Sequence, residues 1–161
     1  MKKEVRLWVV AVLIAWCPLQ VRSQDCGESY KKGDCKMDLH KGYKTFSQSR
    51  GFSVTPKDTV ELSVVFYGQK DYILSFCTHH KFYPVHYKLI DHETGDVLYD
   101  NEKDNYIESL GVGFDVTKSL TLRVNVLARE ATEDEIREYN SCLGLLIQYR
   151  SYPDKKVKLQ M

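Results

Sequence analysis

The sequence has almost no charge of one sign to spare. Its 23 lysines and arginines stand against 22 aspartates and glutamates, a formal net charge of +1 over 161 residues. A nucleic-acid binder usually shows a basic surplus, so that class loses its electrostatic argument. Proline (4) and glycine (9) are scarce, which excludes collagen-like and low-complexity architectures. With 43% hydrophobic and 28% charged residues, wholesale disorder is excluded as well. No long apolar run occurs after residue 19, so no membrane span is expected beyond the N-terminus. There is no C-x-x-C, no H-E-x-x-H and no G-x-S-x-G, hence no readable zinc motif and no serine-hydrolase elbow. Asn-x-Ser/Thr acceptors and internal repeats are missing too.

What is present begins with a targeting pattern. Lys2, Lys3 and Arg6 precede an apolar stretch at residues 7–19 that is too short to cross a bilayer comfortably. Pro18 closes it, and the small residues Val21 and Ser23 suit signal-peptidase pockets. Residues 1–23 are therefore expected to be a signal peptide, cleaved after Ser23. Cleavage would remove Lys2, Lys3, Arg6 and Arg22 against Glu4 alone, tipping the mature chain slightly acidic. Cys17 leaves with the signal, while Cys26, Cys35, Cys77 and Cys142 stay, an even set suited to an oxidising compartment. Three pairings are open. Cys26–Cys35 with Cys77–Cys142 is expected, because the first closes a short loop in a poorly structured segment and the second joins two apolar runs.

The mature chain divides into a disulfide-pinned lead-in (24–41), one domain (42–152) and a polar basic tail (153–161). Alternation dominates the domain. Val60, Leu62, Val64 and Phe66 form one half-buried stripe, and Leu120, Leu122, Val124 and Val126 form another. Residues 143–149 (LGLLIQY) run apolar without a break and read as a central strand. Residues 67–71 are expected to turn a hairpin, and residues 92–96 another, with Gly95 supplying a positive φ. A capping-box spacing, Thr132 to Glu135, predicts one short helix between the last two strands. The expected fold is all-β: an antiparallel β-sandwich, jelly-roll or Ig-like, of seven to eight strands.

Three groups of side chains are candidates for chemistry. Cys77, His79, His80, His86 and His92 are close in sequence, and acidic or amide residues from Asp91 to Asn105 cluster across two turns. A calcium or zinc site would draw on His79, His80, Asp91 and Asp100, although no spacing matches a known ligand loop. The 11 tyrosines are a high load. Tyr67, Phe82, Tyr83, Tyr99 and Tyr106 fall near strand ends or loops, where exposed rings anchor protein partners or stack on sugars. No serine or thiol has a recognisable nucleophile setting, and no cofactor is implied.

Residues 72–77 (YILSFC) through 87–91 (YKLID) to 97–101 (VLYDN), with 141–147 (SCLGLLI), resemble a group of small exported proteins of Gram-negative bacteria. More distantly, the strand rhythm from Thr59 to Tyr149 is similar to pre-peptidase C-terminal-type β-sandwich domains. The resemblance implies export and a sandwich, and it carries over no catalytic residue. Together these features point to an exported, non-enzymatic binding protein of the periplasm, outer surface or medium. Its partner would be an envelope protein or a surface glycan. A calcium- or zinc-dependent binding module and a small secreted hydrolase are the alternatives.

Overall fold

The computed structural model describes residues 26–32, 35–138 and 141–152. The expected signal peptide and the polar tail lie outside the described residues. Nine strands form two antiparallel sheets. One sheet contains β1 (Lys44–Thr45), β2 (Arg50–Val54), β4 (Lys70–Cys77), β7 (Ser109–Phe114) and β9 (Ser141–Ser151). Its order is β1-β9-β4-β7, with β2 also pairing β9 beyond β1. The other runs β3-β8-β5-β6, from β3 (Thr59–Phe66), β8 (Lys118–Val126), β5 (Val85–Asp91) and β6 (Val97–Asp100). The fold is thus an all-β sandwich with one short helix, and it has one strand more than the sequence pattern predicts.

Period-two alternation explains the core. Leu120, Leu122, Val124 and Val126 are all at most 1% exposed and meet Val64, Phe66, Tyr87 and Leu89 on the same face. From the other sheet come Tyr72, Leu74, Phe76, Leu143, Leu145 and Ile147. Phe76 and Tyr87 stack across the two layers with ring centroids 4.3 Å apart. Each such large side chain contributes roughly 1.5–3 kcal/mol of burial.

The link at residues 67–71 is not a hairpin. β3 and β4 belong to different sheets, so this link carries the chain from one layer to the other. A Gly-containing polar link looks the same in sequence either way. The second turn does join paired strands, β5 and β6, with Gly95 at φ 78°. The helix α1 (Glu133–Glu138) starts at the capping box: Glu135 N–H donates to Thr132 Oγ1 (3.3 Å) and Thr132 N–H donates to Glu135 Oε2 (3.0 Å). Among the described residues no helix is long and apolar enough to cross a membrane.

The lead-in makes a third, partial layer on the outer face of the five-stranded sheet. Its cysteines do not pair with each other. Cys26 bonds Cys142 and Cys35 bonds Cys77, which corrects the expected 26–35 and 77–142 pairing. The register gives the reason. Cys77 lies opposite Gly144, so Cys77 and Cys142 are diagonal neighbours on adjacent strands. The lead-in is laid across this face and supplies one thiol to each. Gly144 permits the approach: a Cβ there would sit 2.8 Å from the backbone N and Cα of Tyr30 and 2.9 Å from Cys77 Sγ. Beneath the lead-in, Gln148 is 1% exposed, accepts a bond from His40 N (2.6 Å) and donates one to Asp38 O (3.4 Å).

Candidate functional site

A dense polar cluster sits where β5 and β6 meet the loop after β6. Asp100 ends β6, and its Oδ1 accepts the N–H of Glu102 (3.1 Å), starting a 3-10 turn at Asn101–Asp104. Asn105 and Tyr106 then adopt left-handed backbone, φ 54° and 58°, which non-glycine residues adopt at a cost. Asn101 holds the loop in this shape. It is fully buried, its Oδ1 accepts from Tyr87 N (2.9 Å), and its Nδ2 donates to Val85 O (2.9 Å) and Ile107 O (3.1 Å). Tyr106 N–H returns to Asn101 O at 2.8 Å. The loop is therefore a rigid mount for its side chains.

On this mount Tyr106 is held on several sides. The Arg129 guanidinium lies 4.7 Å over its ring, the His86 ring meets it edge-on at 5.7 Å, and its hydroxyl donates to Glu102 Oε1 at 3.0 Å. His86 Nε2 is 2.8 Å from Asp100 Oδ1, and Lys88 Nζ is 2.8 Å from Asp100 Oδ2. Burial works against the Asp100 carboxylate, but the bonds from Lys88, His86 and Glu102 N–H outweigh it and bring its pKa down to about 2. Tyr99 donates to Asp104 Oδ2 at 2.7 Å. Burial, then this carboxylate, pushes the Tyr99 hydroxyl up to about 12.

The five aromatic candidates do not form one surface. Tyr99 and Tyr106 share this cluster. Phe82 is 3% exposed and belongs to the core, so it is no contact residue; the 3-10 turn His80–Phe82 folds it inward. Tyr67 is 49% exposed at the opposite end of the four-stranded sheet, beyond Phe66, which pairs with Lys118 at the start of β8. There Lys70 Nζ lies 5.1 Å over the Tyr67 ring. Tyr83 lines a separate pocket of about 310 Å³ between the lead-in and the β4–β7 side of the five-stranded sheet. Burial pushes its hydroxyl up, with Glu108 adding to the effect.

The four metal candidates do not converge either. The His79 and His80 rings lie 4.1 Å apart, tilted by 40°, and Cys77 is committed to a disulfide. Asp91 is a turn anchor: it accepts from Glu93 N (3.0 Å) and Thr94 N (3.4 Å) and pairs with Lys118 (2.8 Å). Among the described residues the grouping that could hold a cation is His86, Asp100 and Glu102, with ligand atoms within 4.8 Å of one another. Lys88 already occupies the second Asp100 oxygen. His86 and Asp100 also resemble half of a proton relay, but no hydroxyl or thiol nucleophile bonds His86 among the described residues.

Lys88 and Arg129 are the members that sequence reasoning missed, while Asp104 already stood in the acidic cluster read from the sequence. His86 and Lys88 alternate with the core residues Val85, Tyr87 and Leu89, so their outward direction was readable. Arg129 carries no such signal, since it lies beyond the end of β8 and reaches Tyr106 only through the fold.

No family model and no curated protein matches the chain. Among solved structures, the crystal structure of Aeromonas hydrophila PliG, a periplasmic lysozyme inhibitor of g-type lysozyme, is similar to it. The identity is 10% and the TM-score 0.44, over 71% of this chain and 93% of that one. At that level the likeness carries no argument about function.

Proposed function

We propose that this chain is an exported, non-enzymatic interaction protein, and that it meets a protein partner through the cluster built on Tyr106. The observation that carries this reading is the fixed Tyr106–Arg129 pair, set among His86, Lys88, Glu102 and Asp104 on a loop locked by Asn101. Tyrosine and arginine dominate binding energy at protein interfaces, most of all when held in place before binding. Charges of both signs give such a surface orientation as well as affinity. A glycan partner is less favoured on geometry, because Arg129 covers one face of the ring on which a sugar would stack. Export is supported by two disulfides, which persist in oxidising compartments. Periplasm, outer surface and medium are equally served.

The experiment compares capture from envelope extract and culture medium by the wild type, Tyr106→Ala and Arg129→Ala. One protein retained by the wild type should be lost in both variants by about 30-fold, the scale of a 2 kcal/mol anchor, while the melting temperature stays within a few degrees. Retention by both variants would remove this surface from the function. A melting shift with zinc or calcium that EDTA reverses would move the reading to a cation at His86, Asp100 and Glu102.

A further inference from the structure

We infer that the edge of β7, unpaired among the described residues, is a second binding surface, which takes an extended peptide segment with basic residues flanking an uncharged stretch. The backbone pattern comes first. Phe76 N–H donates to Glu108 O at 2.9 Å, and the register sets residue 110 against 74 and residue 112 against 72. In an antiparallel ladder the bonded pairs alternate. Leu110, Val112 and Phe114 therefore turn their backbone groups to β4, and Ser109, Gly111 and Gly113 turn theirs outward.

The residues with outward backbone groups are a serine and two glycines. A Cβ on Gly111 would meet nothing within 4 Å, so the outer face is open at mid-strand, whereas one on Gly113 would sit 2.8 Å from the Tyr152 hydroxyl. Glycine within a strand often marks where another backbone comes close. The pocket of about 310 Å³ continues from the start of β7, lined by Glu108, Ser109, Ser75 and Tyr83, with Asp38, Lys36 and His40 from the lead-in across it.

The other edges are protected in ways that β7 is not. At β3, Gln48 bonds both backbone groups of Val65, donating to its O (3.1 Å) and accepting from its N (3.3 Å). β6 has four residues and a register shift opposite Leu89 and Ile90. The β1–β2 edge is interrupted between Thr45 and Arg50. β7 has six residues, SLGVGF, without a charge, a proline or a register shift. Edge strands lacking such guards are sites of strand addition.

Charge selects the occupant. Glu108 and Asp115 bracket β7, and neither has an ion-pair partner among the described residues. A second copy added antiparallel about Gly111 would set Glu108 against the second copy's Phe114, one residue from its Asp115, so each end would gather two carboxylates and no cation. A segment with lysine or arginine at each end turns both contacts favourable. This surface is separate from the Tyr106 cluster, so the two can fail independently.

The test titrates oxidised full-length protein with blocked peptides of alternating threonine and valine, flanked by lysines or by glutamates, and follows backbone amide signals by NMR. The largest shifts should fall on Ser109, Gly111 and Gly113, and the lysine-flanked peptide should bind at least about tenfold tighter. Gly111→Pro should weaken binding at least about tenfold with the melting temperature kept, since the lost N–H faces outward. Glu108→Gln with Asp115→Asn should erase the preference between peptides, and Tyr106→Ala should change nothing. The inference is overturned if neither peptide binds, if the shifts fall elsewhere, or if a lysine-flanked peptide N-methylated on its edge-facing amides binds as well as the parent. A dimer in sedimentation that Gly111→Pro abolishes would overturn it in favour of a second copy.

Discussion

The two outer faces of the sandwich solve the same problem in opposite ways. On the five-stranded sheet the outward residues of β4 and β9 include Ser75, Cys77, Gly144, Leu146 and Gln148, all buried beneath or beside the lead-in. On the four-stranded sheet the register Glu61–Arg123–Lys88–Asp100 draws a row of charges across all four strands, with no layer above it among the described residues. Arg123 pairs with Glu61 at 2.7 Å, and Lys88 pairs with Asp100 at 2.8 Å. A covered face needs small or apolar residues and a covalent hold on its cover. A bare face needs charge, and is then free to present side chains to a partner.

The largest effect expected from breaking this contrast lies with the cover. Replacing Cys26 and Cys142 together by serine, or Cys35 and Cys77 together, should each cost roughly 2–5 kcal/mol in denaturant unfolding. Limited proteolysis should then cut first in the exposed lead-in near Lys31 and Lys32. If the unfolding midpoint hardly moves, the lead-in is an ornament rather than a layer.

A smaller effect belongs to the edge of the bare face. The folded Asp100 titrates near 2, below its ordinary 3.8. Its contacts with Lys88 and His86 thus stabilise the fold fully above about pH 4 and are lost as pH falls toward 2. Asp100→Asn should flatten the acid limb of the stability curve in that window and leave neutral stability lower by about 1–3 kcal/mol. An unchanged acid limb would show that the pairings add no net stability.

The smallest effect is expected in mid-face. The side chains of Arg123 and Glu61 are 49% and 52% exposed, so Arg123→Ala should change stability by no more than about 1 kcal/mol, and less in high salt. A larger loss would mean that the charge row acts as one network.

Much of this contrast was legible in the sequence, but not all. The clean alternation of residues 120–126 announced a strand with one wet face, and the structure leaves Thr121, Arg123 and Asn125 outward. The unbroken run at residues 143–149 announced a strand buried on both sides. What covered its second side could not be read, because the lead-in is short and polar and is held by disulfides whose pairing the sequence leaves open. The disulfide error has the same source. Sequence separation favours the nine-residue loop, whereas the actual bonds span 116 and 42 residues. For the Tyr106 cluster, the turn chemistry of Asp100 and Asn101 was visible as polar loop residues. The inward role of Asn101 and the arrival of Arg129 depend on three-dimensional neighbours. Phe82 was misplaced because a hydrophobic residue between His80 and Tyr83 looks like loop until the 3-10 turn buries it.

The Cys26–Cys142 bond has one further consequence. It encloses almost the whole described chain within a covalent ring. A single hydrolytic cut anywhere between those two residues opens a loop but releases no fragment. Outside a cell, where proteases are met without resupply, such a molecule could be nicked at the Tyr106 loop and still migrate as one species until it is reduced.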